Sequence, residues 1–589
     1  MRSHRPDPDS LGGSFTPALL ADLLLFHPPI SNRAHAVRLQ RGNTVSVEQH
    51  NMSARGEALR QTGRADSLLP VSVTYESRGR LLLIGPEDRV RRAAALAAPE
   101  LHLTLAVSEQ PSDSQARDLE AIFNATAALE SLTVRDAALE GYLGHFSLRV
   151  RSQGGESLLL ERLCHGPQGH FDLVLDLGLR PLIALERPPF GYRHLADDEA
   201  LAEAMEALAG MIGLFDKPRY FTLDSEACAF TARGVPGCSR CLDRCASDAI
   251  RVEAGQVRID PFLCQGLGSC ASACPTGAIH YREPEPEVLE DYLWRLLECY
   301  RAAGGHHPSL LIVAHETPLA LEQLPGHWLP LSVDEVGSVG VESWLLALAA
   351  GAGQVRILTT GCGPSVRQTL EQEVAQVQPL LGGAGLPRDA IALWDGESPL
   401  PAPVARLPLL ARPVKGGKRE RLFAAFDALR GDAGTDQPIP LPAGAPYGAV
   451  VLAEADCTLC MGCVAVCPTG ALHSPGDMPA LHFTEQSCVQ CGLCERACPE
   501  RVIALAPRLL PDTQARRSAR QLKGEEPACC IRCGKPYAPA SLVRRIREKL
   551  AGHSQFQGAA FDRLLMCEDC RVRDVFEPLV ANPLDQVKV

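Results

Sequence analysis

The sequence predicts a multidomain α/β plus α+β protein in which two cysteine-dense modules are inserted among parallel-sheet domains. Three observations carry that prediction. A chain of 589 residues with 46% apolar content is too large for one hydrophobic core. Eight of its 23 cysteines lie between Cys457 and Cys498 and seven between Cys228 and Cys274, whereas residues 1–163 contain none. Outside those stretches, strand-like and helix-like runs alternate.

In chain order, RLLLIG leads into the arginine-rich EDRVRRAAALA and on to LHLTLAVSE, with FDLVLDLG further along, so residues 1–220 read as a mixed α/β domain. The apolar run at 18–26 is broken by Asp22 and followed by His27, Pro28 and Pro29, which fits neither a signal peptide nor a membrane span. Residues 221–285 hold the first cysteine module. Residues 286–440 alternate again through LLIVA, WLPLSV, the amphipathic SVGVESWLLALAAGA, QVRILTT and a polar-apolar stretch over 365–381, the pattern of a parallel α/β sheet. Loops at 401–413 and 437–446 are rich in proline, alanine and glycine, as connections are. Residues 441–510 hold the second module and 511–589 a tail with paired cysteines. The modules repeat one plan, two cysteine groups joined by a strand-turn-strand stretch: DAIRVEAGQVRIDPFLC in one and GALHSPGDMPALHFTEQSC in the other.

A formal charge of -12 and an aromatic content of 5% argue against nucleic acid as a partner. Without an export signal or a span of membrane length, the chain is expected in the cytoplasm, where thiols stay reduced. Its cysteines then serve metals rather than disulfides.

The sharpest motif is CTLCMGCVAVCP, with Cys457, Cys460, Cys463 and Cys467 in C-x2-C-x2-C-x3-C-P spacing; CVQCGLCERACP repeats it with Cys488, Cys491, Cys494 and Cys498. Soft thiolates stabilise iron in either oxidation state, and the tight loop brings three of them to one face of a cluster. Two zinc ions would not require two triply spaced loops with a trailing proline. The stretch closely resembles bacterial two-cluster ferredoxins, in which the last cysteine of each motif ligates the other cluster. That resemblance implies one 4Fe-4S cluster on Cys457, Cys460, Cys463 and Cys498 and another on Cys488, Cys491, Cys494 and Cys467. Neighbouring clusters with crossed ligands suit an electron relay.

The first module departs from this spacing. Cys238, Cys241 and Cys245 keep the closing intervals, but Cys228 stands well upstream, with turn formers Gly234, Pro236 and Gly237 between. Its partner CQGLGSCASACP supplies Cys264, Cys270 and Cys274, with Leu267 where a cysteine would stand. Crossed pairing carried over from the ferredoxins gives a 4Fe-4S cluster on Cys228, Cys238, Cys241 and Cys274. It leaves three thiolates, Cys264, Cys270 and Cys245, for a 3Fe-4S cluster, a 4Fe-4S cluster with a non-cysteine ligand, or an empty remnant. An open iron beside Leu267 would be a place for catalysis.

In the tail, Cys530 with Cys533 and Cys567 with Cys570 are two C-x2-C pairs separated by 33 residues that include the helical SLVRRIREKLAG. Two such knuckles close one tetrahedron for zinc, as in a zinc ribbon, or for iron, with Cys529 able to replace Cys530. Gly361, Cys362 and Gly363, between a strand and a helix, could receive an anion on backbone amides. Cys164 and Cys299 read as core thiols, and His280 and His473 as strand residues near a cluster. No nucleophilic triad or nucleotide fingerprint is present.

The order of pieces also resembles large bacterial 4Fe-4S ferredoxin-type proteins encoded beside formate dehydrogenases, on FDLVLDLG with PPFGY, GCSRCLDRC, VDEVGSVGVESWLLALAAGA, and CIRCGKPYA with CEDC. The segment VDEVGSVGVESWLLALAAGAGQVRI is distantly similar to the delta subunit of methyl-viologen-reducing hydrogenases, an electron-transfer adaptor. Only Cys362 remains here of that subunit's cysteine cluster, so the resemblance implies a docking domain at 286–440. The function expected is single-electron relay between a dehydrogenase, which the resemblance implies is formate dehydrogenase, and an acceptor. A maturation factor for a molybdenum or tungsten oxidoreductase, and a redox enzyme using the open iron, are the alternatives.

Overall fold

The computed structural model describes residues 46–63, 71–109, 131–151, 157–166, 169–232, 234–432, 434–476 and 478–581; the apolar run at 18–26 lies outside them. The first sheet is all-parallel, in the order Ser131–Thr133, His102–Glu109, Arg80–Pro86, Leu173–Asp176, Tyr192–His194. Residues 81–85 and 173–176 are buried without interruption, as strands covered on both faces are. The helix Glu87–Ala95 carries the chain from Arg80–Pro86 to His102–Glu109, making RLLLIG, EDRVRRAAALA and LHLTLAVSE one βαβ unit.

A second all-parallel sheet runs Trp328–Val333, Ser309–Ala314, Val355–Leu358, Ile391–Trp394. Around it lie helices Pro286–Ala302, Val341–Ala349, Pro364–Gly383 and Lys418–Arg430. The helix Val341–Ala349 corrects its amphipathic sequence pattern: all nine residues are buried, Glu342 and Ser343 included, because helices and sheet enclose it on every side. The helix Val47–Thr62 packs Ala54 and Ala58 into this central core beside Leu289 and Leu293, although chain order places it with the N-terminal strands. Arg55 fixes it there, donating to the carbonyls of Leu321, Leu324, Pro325 and Trp328 at 2.7–3.3 Å.

Three carboxylates, Glu290, Glu342 and Glu373, are buried in the central core. Arg421 Nε lies 3.5 Å from Glu290, and Lys418 Nζ 3.8 Å from Glu342. Neither oxygen of Glu373 has a partner with hydrogen-bond geometry, although the Ser272 hydroxyl lies beside it. Burial pushes the Glu373 carboxyl up to about 7, against the opposing pull of Lys418. Lys418 also donates to the carbonyls of Ala271, at 2.9 Å, and Ser272, the backbone between Cys270 and Cys274, and so ties the central core to the first cysteine module.

Each module is framed by an antiparallel strand pair: Phe221–Leu223 with Ile279–Tyr281, and Gly448–Leu452 with Ile503–Leu509. Inside each frame the predicted joint is a hairpin, Ile250–Glu253 with Gln256–Ile259 and Leu472–His473 with Ala480–Phe483. In the tail, the hairpin Pro527–Cys529 with Pro536–Pro539 precedes helices Ala540–Leu550 and Glu568–Ala581.

All four tryptophans lie between residues 294 and 394, so their fluorescence reports on the central core. Arg55→Ala strands four carbonyl acceptors and should lower the unfolding free energy, read by that fluorescence in urea, by about 3 kcal/mol. Folded Glu373 holds its proton up to about 7, whereas the ordinary carboxyl loses it near 4.5. Stability of the central core should therefore fall as pH rises through that window, and Glu373→Gln should flatten the fall.

Candidate iron-sulfur and metal sites

In the second module the two cysteine loops turn by the same device. Leu459 and Met461, and Gln490 and Gly492, take left-handed φ values of 51° and 58°, and 51° and 79°. Alternating these with ordinary residues bends the backbone around a centre and aims successive thiols inward. Cys457, Cys460, Cys463 and Cys498 wall one cavity of about 360 Å³. Cys467, Cys488, Cys491 and Cys494 wall another of about 320 Å³. Each wall therefore takes three thiols from one motif and the closing cysteine of the other.

Burial drives the thiols toward the neutral form: Cys463 is pushed up to about 12, Cys491 to about 11, and Cys494 upward as well. A bound cation compensates the charge of several such thiolates held so close together. Donors already point at the sulfurs. The Leu459 N–H lies 3.5 Å from Cys457 Sγ, the Leu472 N–H 3.5 Å from Cys467 Sγ, and Gln490 Nε2 3.3 Å from Cys488 Sγ.

In the first module Cys228, Cys238, Cys241 and Cys274 line a cavity of about 350 Å³. A further cavity, of about 470 Å³, is lined by Cys245, Cys264 and Cys270, with Leu267, Tyr220 and Tyr281 in its wall. Leu267 has not collapsed this space. Gly266 and Gly268 hold φ values of 76° and 74°, the same alternation as in the complete motifs, so the loop keeps its shape around a residue that cannot ligate. Tyr281 donates to Gly266 O at 2.8 Å, and buried Lys217 donates to Phe262 O and Cys264 O at 2.8 and 2.7 Å, fixing the loop from outside. The cavity lining includes no fourth cysteine.

Several neighbours of the thiols were not singled out from sequence. Ser247, Thr276 and Thr469 each place a hydroxyl 3.6–3.8 Å from the cysteine two residues earlier, Cys245, Cys274 and Cys467. That C-x-[ST] recurrence was legible in the motifs. Lys523, which donates to Glu454 O at 2.8 Å and Cys457 O at 2.5 Å, plays the part in the second module that Lys217 plays in the first. It carried no sequence signal, because it lies beyond the motif.

In the tail, the thiols of Cys530, Cys533, Cys567 and Cys570 all lie within 4.8 Å of one another. Tetrahedral zinc with Zn–S of about 2.3 Å needs sulfurs about 3.8 Å apart, and Cys533 Sγ to Cys567 Sγ is 3.7 Å. Burial opposes ionisation of Cys530, but N–H donors from Cys567, Cys533 and Arg532 overcome it and hold the thiol down at about 6. These four residues can bind a single metal ion. Cys529 is exposed and stands outside the group.

Other sequence candidates fall elsewhere. The Ser365 N–H, in the first turn after Gly361, Cys362 and Gly363, donates to Glu186 Oε2 at 3.0 Å, so the chain supplies a carboxylate at that helix start. Cys164 is exposed rather than in the core, and Cys299 is half-buried. His280 and His473 sit in strands as expected, and His473 packs edge-on against His482 at 5.8 Å between ring centroids.

A sequence profile of the 4Fe-4S dicluster domain matches the chain twice, at residues 236–278 and 456–502. No curated protein matches the chain. Each matched stretch spans two cysteine groups and the hairpin between them, with Cys228 lying upstream of the first match. The chain thus contains two ferredoxin-type 4Fe-4S domains, the equipment of an iron-sulfur electron-transfer protein.

Proposed function

We propose that the chain relays single electrons between redox proteins, with fifteen cysteines holding four iron-sulfur clusters. The observation that supports this is the composition of the four cavity walls, each built from two separate motifs. Cys457, Cys460, Cys463 and Cys498 hold one 4Fe-4S cluster; Cys467, Cys488, Cys491 and Cys494 a second; and Cys228, Cys238, Cys241 and Cys274 a third. Cys245, Cys264 and Cys270 hold a 3Fe-4S cluster beneath Leu267.

Such clusters, when bound, supply reversible one-electron chemistry. The chain does the rest. Its loops shield the thiols other than Cys460 from bulk water, wholly or in part, which reduces the reorganisation that accompanies each charge change. Hydroxyl, amide and guanidinium donors beside Cys238, Cys245, Cys274, Cys467 and Cys488 stabilise the more negative, reduced state and so raise the potential. Cys530, Cys533, Cys567 and Cys570 hold a structural zinc that pins the tail hairpin to the helix Glu568–Ala581.

The α/β region at 286–440 serves as the docking domain, and a cytoplasmic formate dehydrogenase or its acceptor is the partner that the sequence resemblance favours. Reaction of a matured formate dehydrogenase with this protein under anaerobic conditions should bleach its visible absorbance on adding formate, and no bleaching would reject that partner.

Protein purified without oxygen should contain about fifteen irons and one zinc. Oxidised protein should show the EPR signal of a 3Fe-4S cluster. Leu267→Cys supplies the missing thiolate and should add about one iron while removing that signal. Cys570→Ser should release zinc and leave the visible absorbance unchanged. Material that is colourless and free of inorganic sulfide would reject the assignment.

A further inference from the structure

The nine residues between Cys228 and Cys238 break the family spacing, and in the fold they reach the other module. They form a hairpin, Thr231–Ala232 with Val235–Pro236. Its end is gripped by Arg496, whose Nη1 donates to Pro236 O at 2.5 Å and Gly237 O at 3.1 Å. Arg496 stands between Cys494 and Cys498.

A second arginine crosses the same boundary in the opposite direction. Arg240, between Cys238 and Cys241, donates Nη1 to Val489 O at 3.3 Å and Nη2 to Gly444 O at 3.0 Å, with Nη1 also 3.7 Å from Cys238 Sγ. Val489 directly follows Cys488. Between the two arginines, Gly237 packs so closely that a β-carbon would come within 2.7 Å of Leu493 Cγ. A hairpin that only bridged a gap would need none of this, and closing a longer loop costs conformational entropy.

We propose that the insertion at 229–237 is an electron-transfer joint. It seats the cage of Cys228, Cys238, Cys241 and Cys274 against the cage of Cys467, Cys488, Cys491 and Cys494, so that four cages form one continuous path instead of two separate relays. The inner end of that path is the Leu267 cavity, where Gly268 packs against Ser338 of the central core and a β-carbon would lie within 2.6 Å of the Ser338 backbone nitrogen. The outer end is the cage holding Cys460, the one exposed residue among the fifteen cysteines. Arg496 is a positioning residue, acting through the loop it holds, whereas Arg240 both holds a loop and donates toward Cys238 Sγ. The proposal rests on the reading of the cages as cluster sites.

EPR of the fully reduced full-length protein, with iron and sulfide counts, tests it. Two reference variants each disable one module: Cys241→Ser with Cys270→Ser, and Cys463→Ser with Cys494→Ser. Coupling across the joint predicts that the wild-type spectrum carries splitting and faster relaxation absent from the sum of the two references. Arg496→Ala, which removes the grip on Pro236 and Gly237 and no contact to a sulfur, should keep the wild-type iron count and lose that extra coupling. A wild-type spectrum equal to the sum, or an Arg496→Ala variant with full iron and an unchanged spectrum, would overturn the joint. Wild-type protein without iron and sulfide would instead overturn the cluster reading beneath it.

Discussion

The architecture depends on one exchange. In each module the closing cysteine of a motif crosses to complete the wall built by the other motif. Because a motif loop can point only three of its sulfurs at a common centre, the fourth must arrive from outside, and a partner loop folded alongside is the shortest route. The crossing fixes much else. It requires two motifs in tandem, a hairpin between them to set their spacing, and an antiparallel strand pair to hold the ends together, which is what residues 221–281 and 448–509 provide.

Electrostatics follow from the same constraint. Burial among neighbouring thiols makes Cys241, Cys270, Cys463 and Cys494 hard to ionise. Bound iron would supply most of the compensating charge. The chain adds cations that do not ligate: Lys217, Lys418 and Lys523 end on carbonyls of the cysteine loops or of the short helix Ser269–Ser272, and Arg419 donates to Gln486 O and Cys488 O at 2.8 and 2.9 Å. A chain with a formal charge of -12 thus gathers positive charge around its thiols.

Much of this was legible in the sequence wherever covalent spacing alone sets geometry. Regular cysteine intervals announced the two modules, the vacancy at Leu267, and the paired knuckles of the tail. Alternating runs announced the parallel sheets, since a βαβ unit leaves its mark within about thirty residues. What stayed hidden depends on contacts distant in sequence. Nothing in VEQHNMSARGEALRQT shows that Arg55, the first of its two arginines, caps carbonyls some 270 residues away. The amphipathic reading of 341–349 failed because Glu342 is paired with a lysine from another helix, which lets a charged residue go inside. The insertion before Cys238 read as a loop, because its partners Arg496 and Leu493 lie in the other module.

The crossing of the closing cysteines is open to a direct measurement: anaerobic iron counts and reduced-state EPR for Cys498→Ser, compared with Cys460→Ser and Cys491→Ser. If Cys498 completes the opposite wall, its variant should lose the same signal as Cys460→Ser and retain the one that Cys491→Ser removes. A Cys498→Ser spectrum that matches Cys491→Ser would place the cysteine with its own motif and contradict the account.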